Sequence, residues 1–218
     1  MKIGVLLLGV LGSVGCVAVA SAQEAPRARL GFQMDVRTGY SLALGKFNQA
    51  AKMSDLASGQ VPIIMDIGGK VIPELFLGGY LGLGFGGAAG ETKAACDLNG
   101  GSCIAIGVHL GIEAQYQILP AGAVDPWLGY GFGFESQALS QSNDSNSATS
   151  TVSYGGFEFA RLMAGVDVRV NRVFGVGPFL DLSFARYSTI SQGSQSQDIP
   201  DPATHEWLTV GARFLFFP

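Results

Sequence analysis

Charged side chains recur at every second position of segments that are otherwise apolar or rich in glycine. Asp35 and Arg37 form one such pair, and Asp167 and Arg169 form another. Because side chains alternate across a β-strand, each pair lies on one face of its strand. The residues predicted to share this inner face are six acids, five bases and a histidine: Asp35, Arg37, Asp66, Lys70, His109, Glu113, Glu135, Arg161, Asp167, Arg169, Asp181 and Arg213.

A nearly balanced set of acids and bases on one face has two possible uses. It could line a narrow gated pore or a proton path. Alternatively, it could form a salt-bridged plug, because a buried charge is costly unless an opposite charge compensates it. The width of the space that encloses these side chains decides between the pore and the plug, and the strands that carry them set this width.

The stretch 104–118 shows the pattern of these elements most clearly. Its alternate residues from Ile104 to Ile118 are almost all apolar, while the residues between them include His109 and Glu113. This pattern is typical of a strand with one apolar face. At about 3.3 Å per residue, the stretch suits a tilted crossing of a hydrocarbon layer roughly 30 Å thick.

The composition also favours a membrane protein. Charged residues make up 14% of the chain, apolar residues 48%, and glycines number 32. An ordinary soluble domain has about 25% charged residues. Beyond the N-terminus no apolar run reaches about 18 residues, so the predicted membrane crossings are strands rather than helices.

The N-terminal segment 1–22 has the features of a secretory signal peptide. Lys2 precedes an apolar run from Ile3 to Val19, and Ala20-Ser21-Ala22 offers a cleavage site. An uncleaved helical anchor and a lipoprotein modified at Cys16 are the alternatives. We predict that residues 23–218 form one membrane domain after cleavage.

Eight strands are predicted, and the connections between them alternate between long and short. This arrangement predicts an all-β, eight-stranded antiparallel up-and-down transmembrane β-barrel with tight periplasmic turns and four long extracellular loops, 45–60, 87–103, 136–153 and 188–203. Glu158 falls on the apolar face of the sixth strand, and either a bulge or a position above the membrane would account for it. The predicted strands are 30–44, 61–72, 75–86, 104–118, 126–137, 157–170, 174–187 and 204–217.

Two cysteines lie in the second predicted loop. Cys96 and Cys103 bracket a polar, glycine-rich segment, and in an oxidising compartment they predict a disulfide. A metal site is the rival interpretation, but two cysteines without nearby histidines supply too few ligands.

Several segments resemble the outer-membrane β-barrel domain proteins of Gram-negative bacteria, the superfamily of the OmpA barrel, OmpX and OmpW. They are VPIIMDIGGKVIPELFLGGYLGLGFG, PWLGYGFGFE, GPFLDLSFARY and EWLTVGARFLFF, and the resemblance extends from about Leu30 onward. It implies localisation in the outer membrane, contact with outer-membrane lipid and lipopolysaccharide, and assembly by the barrel-assembly machinery. The chain departs from the family by ending on Pro218 after Phe216 and Phe217.

The leading functional hypothesis is a non-enzymatic barrel with a structural or surface-interaction role through the four loops. An eight-stranded barrel is only wide enough for side chains to fill, which favours the plug over the pore. A narrow channel for small or hydrophobic solutes is one alternative. A lipid-modifying enzyme is another, with His205, Glu206, Tyr187 and Ser188 at the outer rim. We expect no cofactor, no metal and no nucleic acid, and a monomeric protein.

Overall fold

The computed structural model describes residues 30–49, 51–55, 57–90, 93–94, 101–143 and 149–217. The predicted signal peptide, Cys16, Cys96 and Pro218 lie outside the described residues. Within the described ranges, no helix is long and apolar enough to span a bilayer.

The fold is a closed antiparallel β-barrel. Eight strands form the ring, because β1 pairs with β9 and β6 pairs with β7, while the short β8 lies outside it and pairs with the end of β7. The predicted all-β, eight-stranded up-and-down barrel is confirmed. The strands are β1 (Gly31–Gly45), β2 (Ala57–Ile72), β3 (Leu75–Ala88), β4 (Gly101–Gln117), β5 (Val124–Asn143), β6 (Thr149–Arg169), β7 (Phe174–Gln192), β8 (Gln195–Asp198) and β9 (His205–Phe216).

The outer face of the barrel is apolar on all eight strands of the ring. Leu110 is 56% exposed, Ile112 57% and Phe134 65%. The residues between them on the same strands, such as His109 and Glu113, are buried inside. A closed barrel also pairs its backbone groups between strands, which hydrocarbon requires. So large an apolar surface is therefore the surface that contacts lipid.

The predicted loop 136–153 is largely wrong. β5 continues to Asn143 and β6 begins at Thr149, and the two strands stay paired as far as Ser142 and Thr149. The predicted loop 188–203 is also wrong in part, since β7 runs to Gln192 and β8 folds back on it. Both extensions stand beyond the membrane, where neither face must be apolar. The alternation that identifies a strand by sequence is therefore missing there.

The other two predicted loops are close to those in the structure. The connection between β1 and β2 is shorter than the predicted 45–60 and contains the 3-10 turn Met53–Asp55. The connection between β3 and β4 nearly matches the predicted 87–103.

A β-bulge in β6 turns Glu158 into the barrel. Against β5, Arg161 pairs with Gly131 while Glu158 pairs with Gly133, so β6 holds one extra residue there. Phe159 points outward and is 42% exposed, while Glu158 is fully buried. Of the two explanations that the sequence left open for Glu158, the structure shows the bulge.

Candidate functional site in the barrel lumen

The interior of the barrel, here called the lumen, is crossed by three buried arginines. Arg37 of β1 makes a two-pronged contact with Asp66, in which Nε and Nη2 each lie 2.7 Å from a carboxylate oxygen. Its Nη1 donates to Asp181 at 2.9 Å, and its Nη2 donates to Glu113 at 3.3 Å. One guanidinium group therefore joins β1 to β2, β4 and β7, in the fork geometry that favours arginine over lysine.

Arg213 of β9 occupies a second layer towards the periplasmic end. It donates to Asp35 at 2.6 Å and to Asp167 at 3.2 Å, and it also contacts the Gln115 amide oxygen. Its guanidinium carbon lies 4.2 Å from the centre of the Trp127 ring. Arg213 is fully buried, so two carboxylates and an aromatic face replace its hydration.

Arg161 links the Arg37 layer to the groups above it. Its Nε lies 3.1 Å from Asp181 Oδ2 and 3.5 Å from Glu158 Oε1. Its guanidinium carbon lies 4.7 Å from the centre of the Tyr80 ring. Tyr80 in turn donates a hydrogen bond to Glu158 at 2.9 Å.

The uppermost polar layer contains two histidines and two glutamates. His109 Nδ1 lies 2.9 Å from Glu158 Oε2, and His205 Nε2 lies 3.2 Å from Glu135 Oε2. Glu135 Oε1 also accepts hydrogen bonds from the Trp207 indole, at 2.8 Å, and from the Tyr187 hydroxyl. We call these four residues, His109, Glu135, Glu158 and His205, the His–Glu cluster.

The space left between these layers is small. A cavity between His109, Arg161 and Trp207 has a volume of about 10 Å³. That is room for roughly one water molecule. Side chains rather than a water column therefore fill this part of the lumen, as expected for an eight-stranded barrel.

An apolar cluster, here called the cap, closes the extracellular end. Phe47 lies at its centre, with its ring 4.8 Å from that of Tyr154 in an edge-on contact and 6.0 Å from that of Tyr187. The cap is not predictable from periodicity, because its members come from loops and strand ends that share none. They are Ala43, Phe47, Met53, Ala57, Tyr154, Tyr187, Ile190, Ile199 and Trp207.

Backbone hydrogen bonds hold the two loops of the cap together. The Lys46 amide donates to the Thr204 carbonyl at 3.3 Å, and the Ala203 amide donates to the Phe47 carbonyl at 3.3 Å. The Ile199 amide donates to the Ser188 carbonyl at 2.9 Å. The loop after β1 and the segment before β9 therefore form one connected lid.

Two residues of the predicted set lie apart from the central layers. Lys70 Nζ lies 5.9 Å from the centre of the Phe217 ring, and the Arg169 guanidinium carbon lies 5.8 Å from the same ring. Arg169 also donates to the Pro120 carbonyl. Both cations therefore lie at the periplasmic end, against the last residues of the barrel.

Periodicity in the sequence misplaced two members of the lumen site, Glu158 and His205. It placed Glu158 on the apolar face, where a lone acid among apolar residues was the signal of a bulge. It placed His205 at the outer rim, whereas His205 is fully buried and stacks on Tyr187 with ring centres 4.1 Å apart. Tyr187 and Trp207 of the cap cover this part of the lumen.

The serine and histidine of the lipid-modifying alternative are not brought together. Ser188 is exposed, and its hydroxyl lies 3.5 Å from the Gly155 carbonyl. His205 faces the lumen and contacts Glu135. The two side chains lie on opposite faces of the barrel wall, so His205 does not activate Ser188.

A closed eight-stranded ring with a lipid-facing apolar exterior and an ionic interior defines an integral outer-membrane β-barrel protein. The expected outer-membrane localisation is therefore confirmed. The similar solved structures include Neisserial surface protein A, with 11% identity, a TM-score of 0.49, and coverage of 86% of this chain and 97% of that one.

Two further structures show a similar fold. Ail, the attachment invasion locus protein of Yersinia pestis, is 10% identical with a TM-score of 0.46, covering 86% of this chain and 100% of its own. A major outer membrane protein from Thermus thermophilus is 13% identical with a TM-score of 0.45, covering 86% and 100%. No family model and no curated protein matches the chain. These likenesses concern the fold alone.

Proposed function

We propose that this protein is a non-enzymatic outer-membrane barrel with a closed lumen, and that it has a structural or surface-interaction role through its extracellular parts. The observation that carries the proposal is the pairing of three buried arginines with the carboxylates around them. Arg37 and Arg213 are fully buried, and Arg161 is 2% exposed. A conducting pore would need a continuous water column in the space that these ion pairs occupy.

The extracellular strands support the surface role. β5 has 20 residues, β6 has 21 and β7 has 19, whereas a strand crosses the membrane in about 9–11 residues. Roughly half of each strand therefore stands outside the membrane as an ordered sheet. Side-chain hydrogen bonds brace it, such as Ser140 with Thr151 and Ser191 with Ser196, each at 3.0 Å.

The partners proposed for this role follow from the surfaces of the protein. The apolar exterior would contact outer-membrane lipid, and the polar extracellular sheet would lie among lipopolysaccharide head groups or reach a partner outside the cell. The barrel-assembly machinery would insert the chain during biogenesis. We expect the folded protein to act as a monomer, without nucleic acid.

Conductance in planar bilayers tests the closed lumen. The purified protein is expected to show no steady conductance, and Phe47→Ala, which opens the cap, is expected to show none either because the arginine layers remain below it. Phe85→Ala, a substitution on the lipid-facing surface, is the matched control. Steady conductance in the native protein would contradict the closed lumen. Conductance in Phe47→Ala but not in the native protein would show that the lumen is a pore gated by the cap rather than a salt-bridged plug.

A shortened extracellular sheet tests the surface role. Leu139 and Val152 are directly paired, so residues 140–151 can be replaced by an Asn-Gly turn that keeps the hairpin register. In a deletion strain, the envelope or adhesion phenotype should be rescued by the native gene and not by the shortened one. Full rescue by the shortened gene would show that the function requires only the membrane-spanning barrel and not the extracellular sheet. A changed outer-leaflet lipid composition in the deletion strain would instead support an enzyme.

A further inference from the structure

The two histidines of the chain meet in one place. The sequence contains only two histidines, His109 and His205, and both face into the same upper layer of the lumen. His109 is 8% exposed and His205 fully buried. Each imidazole lies against a different glutamate, and one ligand atom each from His109, Glu135 and Glu158 lie within 4.8 Å of one another. From this arrangement we propose that His109, Glu135 and Glu158 bind a single zinc ion, with His205 hydrogen-bonded to Glu135 beside it.

The spacing of the ligand atoms is that of a compact metal site. Zinc bound by nitrogen and oxygen at about 2.0–2.1 Å in a tetrahedron places neighbouring ligand atoms roughly 3.3 Å apart. His109 Nδ1 lies 2.9 Å from Glu158 Oε2, and the ligand atoms of His109, Glu135 and Glu158 all lie within 4.8 Å of one another. Small movements of buried side chains would therefore admit the ion without moving the strands.

The groups around the cluster position the carboxylates for this role. Glu135 Oε1 is occupied by the Tyr187 hydroxyl and the Trp207 indole, and Glu158 Oε1 by the Tyr80 hydroxyl. In both glutamates the remaining oxygen, Oε2, is the one that faces an imidazole. Hydrogen bonds that fix the non-ligating oxygen are the outer-shell support that metal sites use to orient their ligands.

The charges in this layer also suit a divalent cation. Glu135 lies against His205, Tyr187 and Trp207 rather than against an arginine. Arg161 lies closer to Asp181, at 3.1 Å, than to Glu158, at 3.5 Å. One neutral imidazole, two carboxylates and one water form a donor set that zinc accepts.

The position of the cluster assigns the ion a structural role. Tyr187 and Trp207 contact Glu135 and also belong to the cap, so the ion would fix the floor of the cap. The cavity of about 10 Å³ beside His109 would supply one water to complete the coordination sphere. This inference does not depend on the proposed surface role, since an open or a closed barrel could hold the same ion.

Zinc binding by the purified, folded barrel tests the proposal. Protein stripped with a chelator and then equilibrated with micromolar zinc chloride should retain one zinc per chain by elemental analysis. Its melting temperature should rise with zinc concentration, because a ligand that binds the folded state stabilises it. Cobalt chloride in place of zinc should give the intense visible absorption of a four-coordinate site. Absence of retained zinc in the folded native protein would overturn the proposal.

Variants separate this site from adventitious binding. Glu135→Gln and His109→Gln should abolish retention of zinc, and Tyr187→Phe should weaken it about 10–100-fold through loss of outer-shell support. Glu113→Gln is the matched control, because Glu113 is a buried carboxylate in another layer, 3.3 Å from Arg37, and it should bind zinc as the native protein does. Equal retention by all variants, or equal loss in Glu113→Gln, would reject the cluster as the site. Electrophoretic heat-modifiability verifies that each variant is folded.

Discussion

Arg213 donates a hydrogen bond of 2.6 Å to Asp35, a residue 178 positions away in the sequence. Arg213 lies on β9 and Asp35 on β1, the two strands whose pairing closes the ring. The contact thus braces the seam between the first and last strands from within the lumen. It is an ion pair between strands that become neighbours only when the ring closes.

We predict that Arg213→Ala lowers the free energy of unfolding by roughly 3–5 kcal/mol, because it leaves Asp35 and Asp167 buried without their cation. Urea-induced unfolding in lipid vesicles, followed by tryptophan fluorescence, measures the change. Lys46→Ala, a substitution of an exposed cation, is the control and should change stability by no more than about 0.5 kcal/mol. A similar small loss for Arg213→Ala would mean that the lumen is solvated rather than filled.

A second prediction concerns the lipid-facing surface. Leu110→Arg should lower the free energy of unfolding by about 2–4 kcal/mol because it places a charge near the bilayer midplane. Ile118→Arg lies just beyond the end of β4, and near the interface the cost should be about 0–1 kcal/mol. Both side chains are exposed on the outer face, so depth is the variable compared. Equal losses of stability would show that Leu110 does not lie deeper in the bilayer than Ile118.

The cap provides a third prediction. Phe47→Ala removes the ring that packs against Tyr154 and Tyr187, so the two loops of the lid should open more often. Amide hydrogen exchange should accelerate at residues 47 and 199, whose amides donate to the Ala51 and Ser188 carbonyls, while exchange in the membrane-spanning part of β4 stays slow. The same experiment on Phe85→Ala should leave the lid protected. Unchanged exchange in Phe47→Ala would mean that the backbone bonds alone hold the lid.

Orientation in the membrane provides a fourth prediction. Ser194 lies in the turn between β7 and β8, and Glu74 lies in the turn between β2 and β3. The variant Ser194→Cys should react with a membrane-impermeant thiol reagent on whole cells. The variant Glu74→Cys should react only after the cell envelope is opened. The native protein, tested in parallel, reports any labelling of its own cysteines. The reverse labelling pattern would show that the barrel has the opposite orientation in the membrane.

The pairing of Cys96 with Cys103 stays a prediction, because Cys96 lies outside the described residues. Cys103 lies in β4 opposite Gln141 of β5, on the extracellular extension. A bridge across so short a loop should contribute roughly 2–3 kcal/mol in the chain-entropy model. Mass spectrometry of protein prepared without reductant should find Cys96 and Cys103 in one cross-linked peptide. Recovery of both as free thiols would exclude the bridge.

Periodicity determined the part of the protein that lies in the membrane. Hydrocarbon outside and packed side chains inside impose opposite chemistry on alternate residues, so the strands around Leu110 and Phe134 and their inner faces could be read from the sequence. The same alternation identified inward groups such as Arg37, Asp66 and Glu113. It failed for the ends of β5, β6 and β7, where water lies on both faces and no alternation is required.

Tertiary structure alone decided which of the inward groups meet. Partners such as Arg213 and Asp35, or His205 and Glu135, come from strands far apart in sequence, and strand register and barrel curvature set their distances. One extra residue in β6 places Glu158 in the lumen rather than on the predicted outer face. Periodicity cannot locate this bulge, because the alternation of faces changes phase at the extra residue. The cap buried His205 by packing loop residues that share no pattern. The His–Glu cluster therefore exists only in the folded barrel, because closure of the ring and a single bulge bring its four members together.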